Sequence, residues 1–556
     1  MAVASLKRAA DDADPLQLAF AAHQRGDDAA ALAASEGVLA AQGDHPVALF
    51  LKGVALFRLG RTAEGLALVQ RVAAHAPQAP YLVCLAEMYQ VLNRPAAAVD
   101  ALRAAQALEP CDLAPIDRLL ALDPAGERSE RSALLARRRL LAPEEPPMEV
   151  VHKARRHYQR NSEVFAKAFP SAGARWGEYA RRMREFIAQN DSALAAAHFA
   201  QSQVDFESRE ECTDGAFLLA QGMRDLLAQD FPEARDVLAG FSDSPLALPA
   251  TVRRDGHALV SKYLYYFARR VLKATSLIGR PEVVCDIGAG TGLTGRLWFL
   301  SGRLAPRTYI ILDLPETLYF SQLYLTAHLG EDQVGMVQED GLQPHRDKKV
   351  ILVPIDRVDS LCEMPIDLVT NFGSLQEMSE YWVDFYHRLF DRLDARYFYS
   401  CNYFAQPANL LAESANLWAP RLGRRWRTFS AEINPWAIRM LSPRNHLEWI
   451  VKRHDHALRD DHLADHFEEL LRHRACDPRN LFELIDVFRL THAPEHAARI
   501  VEKYRSANYK EVLFLAQWLA TGAPCPAELR NVVDEVRLRL TALRQGGVEA
   551  VVWPPA

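Results

Sequence analysis

Through the first 120 residues, apolar positions recur at helical spacing in a background rich in Ala and Leu, and the pattern repeats. The stretches "QRGDDAAAL" (24–32), "RLGRTAEGL" (58–66) and "VLNRPAAAV" (91–99) align, setting Gly26, Gly60 and Asn93 34 and 33 residues apart. Pro77 and Pro110 each follow the matching turn by 17 residues. Each unit predicts two antiparallel helices with small residues where they meet. "LLAPEEPPMEV" (140–150), holding Pro143, Pro146 and Pro147, reads as a linker. Beyond it, "EYARRMREFIAQ" (178–189) and "DGAFLLAQGMRDLLAQ" (214–229) keep one apolar face but lose the repeat. Residues 141–240 therefore read as a linker and a helical subdomain lying over whatever follows.

From about Pro281 short apolar runs alternate with helices. "EVVCDIG", "TYIILDL", "KKVILVPI", "PIDLVTNFG" and "RYFYSCNYF" read as strands, with helices at "GLTGRLWFLSG", "PETLYFSQLYLTAHL" and "EYWVDFYHRLFDRL". Such alternation predicts an α/β fold with a doubly wound, mostly parallel sheet over 241–455. Residues 456–556 read as a C-terminal helical region, "ADHFEELLRHR" and "ELRNVVDEVRLRLTALR" being its clearest stretches. Residues 1–140, with their 33–34-residue period, resemble tetratricopeptide repeats. Three such repeats are the fewest that bury a continuous core. The resemblance implies docking of a protein partner or self-association; a helical cap on the neighbouring domain is the alternative.

Composition changes this picture little: the 556 residues are 49% hydrophobic and 24% charged, with a formal charge of −6. No chain-wide basic field exists to favour nucleic acid. The eight cysteines are scattered without a C-x-x-C, which argues against structural zinc and a disulfide framework. Met1 to Pro15 carries charges and no apolar core, so no signal peptide is expected, nor is any run long enough to span a membrane. The expectation is a reduced, cytoplasmic protein.

The candidate chemistry gathers in "VVCDIGAGTGLTG" (283–295), which holds two glycine patterns at once. From Asp286 it reads D-x-G-x-G-x-G; from Gly290 it reads G-x-G-x-x-G, the dinucleotide form. Gly288, Gly290 and Gly292 stand just past the first strand, where open α/β sheets place ligands. Asp313 closes the second strand, 21 residues beyond Gly292, where an acid accepts both ribose hydroxyls. That placement serves an adenosyl ligand and NAD equally. Asp286 separates them: expected to face the crevice, its carboxylate would repel a pyrophosphate and stabilise an ammonium group. The loop therefore favours S-adenosylmethionine, with an NAD-dependent oxidoreductase using Gly290, Gly292 and Gly295 as the alternative.

"VVCDIGAGTG", "IILDLPETLYFSQLYL" and "IDLVTNFGSLQEMS" together resemble the sugar O-methyltransferases of bacterial polysaccharide and antibiotic-sugar pathways, over roughly residues 240–455. The D-L-P-E after the second strand and the N-x-x-S-x-x-E-M after the fourth are the distinctive parts. The resemblance implies a class I, S-adenosylmethionine-dependent enzyme acting on a sugar hydroxyl of a surface glycan or its precursor. It implies that Asp286, Gly288, Ala289, Gly290 and Gly292 hold the methionine side of the donor, and that Asp313 and Leu314 hold its ribose. Neither the repeats nor the C-terminal helices belong to it.

Methyl transfer to a sugar oxygen asks for alignment and for a base or metal to take the hydroxyl proton. A divalent cation would serve, but no spacing in the sequence supports one. In "NFGSLQEMSEYW" (371–382), Asn371, Ser374 and Gln376 are candidates to hold sugar hydroxyls, and Glu377 is the first candidate base. Glu377 also stands where an acid supports a helix start. His257, in "RRDGHALVSKYLYY", is the second candidate base. Tyr263, Tyr265 and Tyr266 face either the acceptor or the core. Asp356 and Asp359, after the third predicted strand, touch adenine or a metal, or are solvated turn acids. "RHDHALRDDHLADH" groups His454, His456, His462 and His466 but is no H-E-x-x-H, and reads as a charged face. The arginines of "RLGRRWRTFS" (421–430) suit an acidic sugar or an exposed strand. A non-catalytic scaffold with a ligand-sensing domain is the third reading; the intact Asp286, glycines and Asp313 count against it.

Overall fold

The computed structural model describes residues 14–122, 128–168, 174–190, 192, 211–246, 249–261, 263–375, 378, 380–403, 426–433 and 446–454. The C-terminal helical region expected at 456–556 lies outside them. The chain divides into two compact units, 1–143 with 212–245 and 252–264, and 144–211 with 246–251 and 265–556. Of residues 141–240, 144–211 fall in the unit that holds the sheet, and 141–143 with 212–240 in the unit that holds the repeats.

The first unit opens on three helical hairpins, α1 (Pro15–Gln24) with α2 (Asp28–Gln42), α3 (Pro46–Arg58) with α4 (Thr62–His75), and α5 (Ala79–Val91) with α6 (Pro95–Leu108). The aligned turn residues Gly26, Gly60 and Asn93 all adopt positive φ, 73°, 89° and 55°. That shared left-handed turn lets each second helix fold back on the first. Within the second hairpin the backbones nearly touch: a Cβ on Gly65 would stand 2.5 Å from the carbonyl oxygen of Gly53. Ala86 and Ala98 occupy the matching places in the third hairpin and are buried. Leu66, Val69, Tyr81 and Leu85 join the second hairpin to the third in one apolar cluster. Helices α7 (Leu113–Leu122) and α8 (Arg128–Leu141) extend the array.

The returning segments add α11 (Asp214–Asp230), α12 (Arg235–Ala239) and an antiparallel ribbon of β1 (Val252–Asp255) and β2 (Ala258–Ser261). Buried Asp243 secures the ribbon by accepting from the Ser261 N–H at 2.5 Å while its own N–H donates to the Leu259 carbonyl at 2.8 Å.

The second unit holds an eight-stranded sheet ordered β5-β6-β4-β3-β7-β8-β10-β9. Its strands are β3 (Val283–Ile287), β4 (Thr308–Asp313), β5 (Val334–Met336), β6 (Val350–Pro354), β7 (Leu368–Phe372), β8 (Tyr397–Tyr403), β9 (Trp426–Ile433) and β10 (His446–Arg453). β5 to β8 pair in parallel through β3 and β4, whereas β10 runs antiparallel to both β8 and β9. All five strands expected from sequence are present as β3, β4, β6, β7 and β8; β9 begins in the "RLGRRWRTFS" stretch, where an exposed strand was one of two readings, and β5 and β10 are additions. Every residue of β3 and β6 is buried, as both-face coverage requires.

Helices α13 (Leu264–Ile278), α14 (Leu293–Leu300), α15 (Pro315–Leu329) and α16 (Glu380–Arg392) accompany the sheet. Helices α9 (Met148–Ala168) and α10 (Ala174–Gln189) pack Val150, Val151, Met183 and Ile187 against Tyr319, Phe320 and Leu323 of α15. Among the described residues, no helix is long and apolar enough to cross a membrane.

Helix α13 is tied to β10 by charge. Glu448, fully buried, stands 3.0 Å from Lys273 and 3.2 Å from Arg269, both nearly buried themselves. Removing one member of a buried ion group costs more than the group contributes, because the remaining charges stay desolvated. Glu448→Ala should lower unfolding free energy by about 3–5 kcal/mol, measured by chemical denaturation, and Glu448→Gln by less.

Candidate functional site

Strand order reverses at β3: the chain runs outward through β4 and β6 on one side and through β7 and β8 on the other. The carboxyl ends of β3 and β7 therefore open the crevice where such sheets take ligands. The glycine loop lies there. Gly288, Gly290 and Gly292 all have positive φ, 68°, 61° and 87°. The Gly288 N–H donates to the Leu312 carbonyl at 3.0 Å and the Gly292 N–H to the Ala289 carbonyl at 3.1 Å, so the loop turns tightly over the β3 tip. A Cβ on Gly288 would lie 2.2 Å from Ser374 Oγ, and one on Gly292 would lie 2.8 Å from Leu325 Cδ1. Gly295 lies inside α14, where a Cβ would meet the Tyr309 ring at 2.6 Å.

Asp313, at the end of β4, faces the loop. Its Oδ1 accepts from the Leu314 N–H at 2.7 Å and its Oδ2 from the Gly290 N–H at 3.2 Å. The residue is half-buried, yet its carboxyl group is sunk deeply enough that loss of solvent pushes its pKa up to about 7. The two backbone donors pull the other way and nearby Asp286 adds to the rise. Ser321 of α15 completes this corner by donating to the Gly290 carbonyl at 2.6 Å.

Asp286 is placed differently from the expectation. It is 2% exposed rather than facing the crevice, and the Tyr309 hydroxyl donates to its carboxylate. Burial raises its pKa to about 6, while the Tyr309 hydrogen bond and the nearby Arg270 guanidinium oppose the rise. Arg270 itself is buried among the rings of Tyr266, Phe267 and Phe372, 4.4–4.7 Å from their centroids. Tyr263, Tyr265 and Tyr266 are core residues.

Asn371 does not point at an acceptor. Fully buried, its Nδ2 donates to the Ile287 carbonyl at 2.9 Å and to Ser374 Oγ at 2.6 Å. Its Oδ1 accepts from the Leu375 N–H and from Asn402 Nδ2, each at 3.0 Å. An amide has four such valences, and all four are used inside the protein. Ser374 donates to the Ile287 carbonyl at 3.2 Å and is spent the same way. Both side chains bind the loop after β7 to the tip of β3.

Glu377 and Gln376 lie outside the described residues. Their neighbours turn back on the loop: the Met378 N–H donates to the Leu375 carbonyl at 3.1 Å, and Met378 Cε lies 4.0 Å from where a Gly288 Cβ would stand. His257 belongs to the first unit, at the tip of the β1–β2 ribbon beside Glu109 and Asp112. His456, His462 and His466, with 421–425, are likewise outside the described residues.

At the tip of β6, the side chain of Asp356 is buried and so is not a solvated turn acid. Pro354 pairs with Asp313, so Asp356 follows one strand further along the same edge. Its side chain is 2% exposed, neither oxygen has a hydrogen-bond partner, and its closest cation is Arg357 Nε at 3.3 Å. Burial raises its pKa. Asp359 is a solvated turn acid paired with Arg392 at 2.5 Å. Sequence reasoning passed over Tyr309, Ser321 and Asn402. Tyr309 was within reach, since it shares a strand face with Ile311, the registered partner of Asp286.

Residues 19–117 match the family described as Psidin, N-terminal TPR repeats region, so the chain carries TPR-like repeats at its N-terminal end. No curated protein matches the chain. Among solved structures, an uncharacterized protein from Listeria monocytogenes serotype 4b is similar at 10% identity, covering 50% of this chain and 97% of that one with a TM-score of 0.25. A structure described as "Conversion of a Disulfide Bond into a Thioacetal Group during Echinomycin Biosynthesis" is similar at 15% identity, covering 37% of this chain and 88% of that one with a TM-score of 0.23. Neither likeness is close enough to bear on fold or chemistry.

The packing at Gly288 yields a stability test. Gly288→Ala should destabilise the protein by more than the ~1 kcal/mol of backbone strain alone, because its methyl group meets Ser374. Ser374→Gly alone should also destabilise, by stranding Asn371 Nδ2, and the double variant should lose less than the sum of the two single losses, read as non-additive shifts of the denaturation midpoint.

Proposed function

We propose that this protein is an S-adenosylmethionine-dependent O-methyltransferase acting on a sugar hydroxyl, in a surface glycan or its precursor. The observation that carries the donor is the row of groups along the carboxyl edge of the sheet. The glycine loop follows β3, Asp313 ends β4, and the unsatisfied carboxylate of Asp356 follows β6. Taken in that order they match an amino-acid tail, a ribose diol and a base with an exocyclic amine. Asp313 retains lone pairs for two ribose hydroxyls while accepting from Gly290 and Leu314. Asp356 lacks a donor that an adenine amino group would supply.

Charge favours a cationic donor over a pyrophosphate. Asp286 and Asp313 lie close enough under the loop to raise the Asp313 pKa, so an added phosphate would be a further anion in the same pocket. The group bound there would supply a methyl on a sulfonium centre. The chain's part is to align the acceptor oxygen and to receive its proton, for which Glu377 is the candidate base. The sugar class rests on the resemblance of "NFGSLQEMS" and "LDLPE" to the sugar O-methyltransferases. One observation keeps NAD as a second reading: the close packing of Gly295 on Tyr309 suits the third glycine of the dinucleotide pattern.

Calorimetric titration with S-adenosylmethionine, S-adenosylhomocysteine and NAD separates the two. The first two should bind at micromolar affinity, NAD should not, and Asp313→Ala should weaken binding at least tenfold. Binding of NAD alone would sink the methyltransferase reading. Protonation supplies a further check. Only ionised Asp313 can accept from both ribose hydroxyls, so affinity should fall as pH drops through about 7, approaching tenfold per unit below it. Binding near pH 6 should release a proton, visible as a dependence of the measured heat on the buffer's ionisation enthalpy.

A further inference from the structure

A second chemical cluster lies within the first unit, on residues that the donor site does not use. β1 and β2 are joined by a two-residue turn, Gly256 and His257, with Asp255 paired to Ala258 on either side. Gly256 takes φ 60°, which that tight turn requires, and the turn presents the imidazole of His257. Glu109 and Asp112 come from a distant part of the chain, where α6 ends and α7 begins. His257 Nε2 lies 3.0 Å from Glu109 Oε2, and its Nδ1 lies 3.6 Å from Asp112 Oδ1. Asp112 is held in place because the same Oδ1 accepts from the Ala114 N–H at 2.9 Å, and its side chain is only 14% exposed.

The three residues bring one imidazole and two carboxylates together, a mixed nitrogen and oxygen donor set for a divalent cation. One ligand atom from each residue lies within 4.8 Å of the others. Ligand atoms sharing a cation with bonds of about 2.1 Å stand roughly 3–4 Å apart, so a small turn of the imidazole that aims one ring nitrogen at both carboxylates closes the site.

We propose that Glu109, Asp112 and His257 form a binding site for a divalent first-row metal ion that accepts mixed imidazole and carboxylate ligands. The two carboxylates neutralise its charge, His257 supplies nitrogen, and water fills the remaining positions. No thiolate is present, which excludes the soft-metal class and suits Mn²⁺, Fe²⁺ or Zn²⁺. Once bound, the ion staples the ribbon turn to the end of the third repeat, two segments that are far apart along the chain.

Mn²⁺ is the probe of choice because it prefers oxygen and nitrogen and avoids the cysteines. The metal-free full-length protein would be titrated with MnCl₂, free Mn²⁺ being followed by its electron paramagnetic resonance signal. Wild type should bind one Mn²⁺ at least tenfold more tightly than His257→Ala or Glu109→Gln/Asp112→Asn, and only wild type should gain thermal stability on adding the ion. Far-ultraviolet circular dichroism of the metal-free variants checks that they fold. If His257→Ala does not, Glu109→Gln alone serves, since Glu109 is 40% exposed and its loss leaves the turn intact. Equal Mn²⁺ affinity in wild type and folded variants, or no binding by wild type, would overturn the proposal. Neither result depends on whether the sheet binds S-adenosylmethionine.

Discussion

The carboxyl edge of the sheet hangs on one buried amide. Asn371 bonds to the last carbonyl of β3, to the backbone of its own loop at Leu375, to Ser374 and to Asn402 of β8. Each bond contributes only about 0.5–1.5 kcal/mol net, but an unmet buried partner costs about 1–3 kcal/mol. No one of these groups can shift without stranding another. The glycine loop inherits its shape from this arrangement. Asn371 fixes Ser374, Ser374 fills the space beside Gly288, and Gly288 therefore has no room for a side chain. A motif usually read as accommodating a ligand is first of all an accommodation to the protein's own serine.

Buried charge is treated in two opposite ways within the second unit. At β10, Glu448 meets Arg269 and Lys273 and the three charges compensate one another. Along the carboxyl edge, Asp286, Asp313 and Asp356 have all been pushed toward the neutral form by burial. The first group holds a helix to a strand. The second holds desolvated acids that a ligand with donors or positive charge would stabilise in the ionised form. That asymmetry separates scaffold from site more sharply than composition does.

Where hydrophobic period and turn chemistry agree, the sequence is transparent. The three aligned turns are left-handed, and five apolar runs are five strands of one sheet. β10 was opaque because Glu448 interrupts an apolar run; the acid is buried only because Arg269 and Lys273 come from a helix some 175 residues earlier. The β1–β2 ribbon carried a legible Gly-x turn signal at Gly256–His257. At the site, Asp313 and the glycines were readable from spacing. Asn371 was not: an amide at a strand tip looks alike in sequence whether it faces a sugar or its own backbone.

The path of the chain has a consequence for its making. Helices α9 and α10 are synthesised well before α15, the element whose Tyr319, Phe320 and Leu323 they cover. Their apolar residues Val150, Val151, Met183 and Ile187 leave the ribosome with no sheet yet in existence to receive them. The first unit is also incomplete at that moment, since 212–245 and 252–264 have still to emerge. Folding of this protein is thus a matter of deferred closure. Two half-built cores must be kept from each other and from other chains for much of translation.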